Sequence, residues 1–111
     1  MKDDYLYLLH IKEAIEKIQN HLGANEVLFY EDDWTRDAVY RNLQTLSEST
    51  QKLSDEIKSK YPSIDWKGYS GLRNVLTHQY LGIKAKLVWK IIQEELPILL
   101  ETVNTVMKNY S

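Results

Sequence analysis

Apolar residues recur at helical spacing along most of the chain, and glycine, proline or aspartate stands where the recurrence breaks. From Asp3 to Leu22, the residues Leu8, Ile11, Ile15, Ile18 and Leu22 repeat every three or four positions, as one helix face does. Asp3 or Asp4 is expected to cap the start of this helix by accepting hydrogen bonds from free N–H groups. Gly23 is expected to end it in a left-handed conformation. Asn25 to Tyr30 (NEVLFY) reads as a short apolar connector with room for one helical turn. A second helix is predicted from Asp32 or Asp33 to Tyr61. Its seam Val39, Leu43, Leu46, Thr50, Leu53 and Ile57 has heptad spacing, and Pro62 stops it. The third helix starts near Asp65 and has Gly82 as its expected C-cap. Gly68 and Gly71 near its start lower helix propensity and allow another backbone to come close. The last helix runs from about Lys84 to Lys108 on a stripe of Ala85, Val88, Trp89, Ile92, Leu96, Leu99, Val103, Val106 and Met107. That stripe keeps its phase across Pro97, which predicts a kinked helix rather than two independent ones. Leu87, Ile91 and Ile98 form a second apolar line roughly 100° or more away, for which self-association is the simplest explanation.

Four helices with short connections, and no hairpin or phosphate-loop signature, predict an all-α, antiparallel four-helix bundle occupying residues 1–111 as one domain. With 43% apolar and 27% charged residues in 111, a packed globule is expected rather than disorder. No apolar run approaches the roughly 20 residues of a membrane span. The opening MKDDYLYLLH is acidic where a secretory signal would be basic, so a cytoplasmic protein is expected. The absence of cysteine excludes disulfides, thiolate zinc sites and a cysteine nucleophile. Fourteen basic against 16 acidic residues leave a net charge of −2, so any nucleic-acid chemistry has to sit in a local patch.

Candidate chemistry concentrates near the end of the third helix. His10 and His21 lie at the polar edge of the first helix, three turns or roughly 16 Å apart, too far to share a metal. His78 lies within Arg73-Asn74-Val75-Leu76-Thr77-His78-Gln79-Tyr80. Arginine neutralises a phosphate with a planar fork, and histidine exchanges a proton near neutral pH. Those are the two functions that a metal-free phosphodiester cleavage needs. Arg73 and His78 point about 140° apart on a straight helix, whereas Asn74 shares a face with His78 and Arg73 shares one with Tyr80. Two copies meeting at a dimer axis would assemble the halves. The alternative is structural: arginine and histidine near a helix C-terminus cap carbonyls and complement the dipole. Trp34, Trp66 and Trp89 are expected in the core or an interface rather than stacked on bases. Glu31-Asp32-Asp33 reads as a helix cap rather than a metal site. Lys84, Lys86 and Lys90 read as a solvated helix face, with steering of an RNA backbone as the functional alternative.

Arg73-x4-His78-x-Tyr80 resembles the Arg-x4-6-His pattern of HEPN domains, and specifically the form found in HepT toxins. Tyr61-Pro62-Ser63-Ile64-Asp65-Trp66, Gly71-Leu72-Arg73-Asn74, Val88-Trp89 with Ile91-Ile92, and Leu96-Pro97 are similar to that family's landmarks across essentially the whole chain. Ser47-Glu48-Ser49 stands where relatives often read Gly-Glu-Ala, so that Glu48 matches and its flanks differ. The resemblance implies a homodimeric, metal-independent endoribonuclease acting on RNA without a cofactor. It forms the toxin of a type II pair with an MntA-type nucleotidyltransferase antitoxin. It further implies catalysis by Arg73 and His78, support from Asn74 and Glu48, and silencing by AMP added to Tyr80. The competing expectation is a non-catalytic helical partner or nucleotide-binding module of a nucleotidyltransferase.

Overall fold

A computed structural model of the chain describes residues 2–78 and 83–110, and no strand occurs among them. The helices are α1 (Lys2–Leu22), α2 (Glu26–Glu31), α3 (Asp33–Lys52), α4 (Asp55–Lys60), α5 (Trp66–His78), α6 (Ala85–Glu94) and α7 (Leu96–Lys108). α1 packs along α3 and α7, and α3 packs along α1 and α5, so the long helices form the expected all-α bundle. Every α1 residue assigned to its apolar face is buried, at 3% exposure or less. Each buried Leu or Ile contributes about 1.5–3 kcal/mol, more than the ~1 kcal/mol of a single cap, so the seam rather than the helix start holds α1 in place.

That ranking matters because the expected cap is not made by Asp4. α1 includes both Asp3 and Asp4, and the buried Asp4 carboxylate turns away to accept the Ser54 N–H at 2.8 Å. Ser54 is where the second predicted helix breaks. Leu53 and Ser54 are extended, and the Ser54 hydroxyl accepts from the Ile57 N–H to start α4. The heptad seam runs through this break, with Leu53 and Ile57 both buried, which is why apolar spacing predicted one helix to Tyr61. Ser54-Asp55-Glu56, a capping residue followed by two acids, is the local signal of a new helix start.

Gly23 has φ +53 and donates to the Gln19 carbonyl at 2.9 Å, the left-handed ending expected for α1. The connector forms α2, capped by Asn25 Oδ1 on the Leu28 N–H at 3.0 Å. Arg36 holds the other end of α2, donating to the Phe29 and Tyr30 carbonyls at 3.2 and 2.7 Å while pairing with Asp33. Asp32 begins α3, but its side chain accepts from the Thr35 hydroxyl at 2.6 Å and caps no backbone N–H. α2 thereby drives Phe29, with 0% exposure, between Tyr40 of α3 and Trp89 of α6.

The last predicted helix is divided at Glu95 into α6 and α7, although the backbone stays nearly continuous across the junction. Glu95 keeps helical angles, with Glu95 N–H to Ile91 and Leu99 N–H to Glu95 bridging the junction, while Pro97 has no N–H for the Gln93 carbonyl. On the second apolar line Leu87 and Ile98 are exposed and Ile91 is half-buried. Trp66 and Trp89 are half-buried as expected, but Trp34 is 87% exposed and belongs to no core. Gly82, the expected cap of the third helix, lies outside the described residues.

Replacing Asp4 by Ala leaves the Ser54 N–H without its partner and lowers stability by about 1–3 kcal/mol, whereas Asp4→Asn retains an acceptor and loses less. Urea unfolding of the two variants measures the difference; equal losses would show that the acceptor oxygen is not what matters.

Candidate active site

α5 is fixed along one side. Tyr69, Leu72 and Leu76 are buried, and α3 is the helix that packs along it. Burial, with the Glu95 and Asp65 carboxylates beside it, pushes the Tyr69 phenol well above its usual range, so the ring is a neutral anchor. The helix begins at Asp65, whose Oδ1 accepts the Gly68 N–H at 2.9 Å. A Cβ at Gly68 would stand 2.7 Å from the Asp65 carboxyl carbon, so that glycine makes room for a cap. No second backbone approaches there, contrary to expectation. At Gly71 nothing lies within 4 Å of a would-be Cβ.

Gly71, Asn74 and His78 follow one another at spacings of three and four on the side away from the buried residues, and all three are exposed. His78 is the last residue of α5. Arg73 starts from a different side of the helix, half-buried, with its Nε enclosed and without a hydrogen-bond partner. Its Nη1 donates to Asn74 Oδ1 at 3.3 Å, and Asn74 shares a helix face with His78. Asn74 therefore orients the arginine, and no hydrogen bond ties it to His78 among the described residues. No carboxylate lies within ion-pair distance of Arg73 among the described residues, which leaves its charge available to an anion.

Glu48 sits half-buried on α3 and accepts from the Gln44 amide at 3.3 Å; it forms no ion pair with Arg73. Its neighbours Ser47 and Ser49 are buried at 0% and 5% exposure, positions that admit only small side chains, and the Ser47 hydroxyl has no partner. Tyr80 lies outside the described residues. Lys84, Lys86 and Lys90 are exposed after the motif. His10 and His21 are exposed on α1 away from this cluster, and among the described residues no three acidic or histidine side chains gather as a metal cage. Sequence spacing found Arg73, Asn74 and His78, but it missed the bond from Arg73 to Asn74, because side-chain length does not show in a helical wheel.

A helical bundle whose motif helix ends in Arg73, Asn74 and His78, with the arginine and histidine on its accessible side, is a protein of the HEPN class. Residues 11–106 match the family described as Ribonuclease HepT-like. Among individual relatives, a Methanocaldococcus jannaschii protein named a "putative RNase" is 36% identical over 94 residues, 84% of each chain. The "Probable ribonuclease HepT" of Thermococcus cleftensis is 32% identical, covering 84% of this chain and 86% of its own. A second Methanocaldococcus jannaschii protein, whose name joins a gamma-glutamylcyclotransferase to a "putative RNase", is 32% identical over 96% of this chain. The chain spans 49% of that relative's length. No solved structure is a significant match. The chain belongs to the HepT-like ribonuclease family.

The two glycines give a test of the α5 geometry. Gly71→Ala fills open space on a helix and raises stability by about 1 kcal/mol. Gly68→Ala displaces the Asp65 cap, and the loss of about 1 kcal/mol cancels the same gain. Thermal unfolding of both variants decides; equal gains would mean that Asp65 does not cap α5.

Proposed function

We propose that the chain, acting as one HEPN-like domain over residues 1–111, is the toxin of a type II toxin–antitoxin pair. In this reading it is a cytoplasmic, metal-independent endoribonuclease that works as a homodimer and is silenced when an MntA-type nucleotidyltransferase adds AMP to Tyr80. The observation that carries this reading is the placement of Arg73 and His78, one unpaired cation and one imidazole, at the accessible end of a helix anchored only by its other side. Membership of the HepT-like family supports ribonuclease action. Among the described residues no helix is long and apolar enough to cross a membrane.

Chemistry follows from the groups available. The Arg73 guanidinium binds the scissile phosphate and offsets charge that develops on its oxygens in the transition state. His78 accepts the proton of the ribose 2′-OH as that oxygen attacks phosphorus, or donates a proton to the departing 5′ oxygen. One imidazole performs one of these transfers at a time, so a two-fold pair of His78 residues divides them between two chains. Asn74 holds the arginine in register, and Glu48 supports the site from α3. Two features support a second copy beside α5. Gly71 keeps the Asn74–His78 line low enough for another backbone to come near. The exposed Leu87 and Ile98 on α6 and α7 give an apolar face to cover. AMP on Tyr80, two residues from His78, would put negative charge and bulk where an RNA phosphate has to sit.

Substituting Ala for His78 or Arg73 is expected to reduce RNA cleavage by two orders of magnitude or more, roughly the scale of losing a general acid–base or an oxyanion contact, with helicity and dimerisation kept. Cleavage retained by a clean His78→Ala preparation would sink the mechanism. Intact-mass spectrometry of the protein made alone and with a nucleotidyltransferase encoded beside it tests the regulation. The expected outcome is an added AMP mass mapping to Tyr80 on co-expression only, and an unchanged mass would remove the antitoxin part of the reading. No cleavage by the unmodified, folded protein, with a nucleotidyltransferase encoded beside it, would favour the non-catalytic partner module.

A further inference from the structure

Trp34 is the most exposed large apolar side chain in the described protein, at 87%, and α3 needs nothing from it for its own packing. It lines an open groove of about 470 Å³ between α3 and α5, together with Asp37, Tyr40, Arg41, Gln44 and Leu76. Leu76 faces away from His78 on α5 but lies about 60° round the helix from Arg73, so the groove opens on the Arg73 side of the motif. Trp34, Arg41 and Glu48 repeat at intervals of seven along α3, which places Trp34 and Arg41 on one side of the helix with their Cα positions about 10 Å apart by helical rise. Arg41 is exposed and pairs with no carboxylate among the described residues.

We propose that this groove is a subsite for single-stranded RNA next to the scissile phosphate, where Trp34 stacks on a base and Arg41 holds a backbone phosphate. The choice of RNA as occupant rests on the ribonuclease reading above. The side chains offered are those a nucleotide uses. An aromatic face accepts any base, and a guanidinium takes a phosphate. A contact between copies of the chain would want apolar neighbours around the tryptophan. The exposed aliphatic residues Leu6, Val27, Leu87 and Ile98 are instead scattered over α1, α2, α6 and α7, and beside the small Ala38 the groove around Trp34 carries Asp37, Arg41 and Gln44. A local cation beside an aromatic face also answers the −2 net charge, which gives the surface as a whole no pull on RNA.

The test measures binding of a fluorescein-labelled, 2′-O-methylated single-stranded oligoribonucleotide, which cannot be cleaved, to His78→Ala protein carrying further substitutions. Trp34→Ala should weaken binding by about five- to one-hundred-fold, while Trp34→Phe, which keeps an aromatic face, should retain most of it. Arg41→Ala should weaken binding and lower the slope of log Kd against log salt by about one contact. Circular dichroism of the Trp34 variants should match the parent, since the side chain is exposed. Unchanged binding by Trp34→Ala, no binding by the parent, or a change in sedimentation showing that Trp34→Ala splits an oligomer would each overturn the proposal. Cleavage of unmodified RNA, measured separately on the parent, keeps the two ideas apart. Trp34-dependent binding without cleavage would sink the ribonuclease and leave the subsite standing. Cleavage by the parent, with binding indifferent to Trp34, would do the reverse.

Discussion

Among the described residues α5 is held by one side, and the rest of the candidate site depends on that constraint. Tyr69, Leu72 and Leu76 commit the helix to the bundle, and because a helix side chain reaches its opposite face only by bending round the backbone, Gly71, Asn74 and His78 have to face outward. This suits the proposed chemistry on a large substrate, since Asn74 and His78 stand exposed on a regular helix. The same constraint makes Arg73 a compromise. Its stem is half-buried against the bundle, its Nε forgoes a partner, and only the tip of the guanidinium reaches the accessible side, where Asn74 steadies it. A lysine there would have one charged nitrogen and no second arm for Asn74 while facing a phosphate.

Periodicity carried most of the fold because most of the stabilisation is apolar burial, and burial follows the helical period. Leu8 to Leu22, Val39 to Ile57 and Val88 to Val106 are buried where their spacing says they should be. Spacing was silent about hydrogen bonds between distant parts of the chain. Asp4 looked like a cap and proved to be the partner of Ser54, fifty residues away, and the extended pair at Leu53 and Ser54 interrupted a helix without disturbing its apolar phase. The two glycines of α5 looked alike in sequence, yet one makes room for a capping carboxylate and the other faces empty space.

The site was legible in part for a different reason. A compact motif carries its own neighbours with it, so Arg73, Asn74 and His78 were found together, and their shared helix did the rest. What stayed hidden was anything assembled across helices. Trp34 has no basic strip around it in sequence and read as core or interface. Only the packing of α3 against α5 places it in one groove with Arg41 and with Leu76, close to the motif. The mild acidity of the chain is consistent with this arrangement, since a few placed cations act over a distance of about 10 Å or less at ordinary salt, whatever the total charge.

The junction between α1 and α2 is tied to a distant part of the chain. The Gly23 carbonyl, at the left-handed end of α1, accepts from the Gln93 side chain at 3.0 Å across seventy residues, while Trp89 of the same helix closes over Phe29. α6 therefore acts as a clasp: it covers Phe29 and holds Gly23, while the helix that bears His78 rests on α3, so loosening the clasp would open the α1–α2 corner before it reached the motif helix.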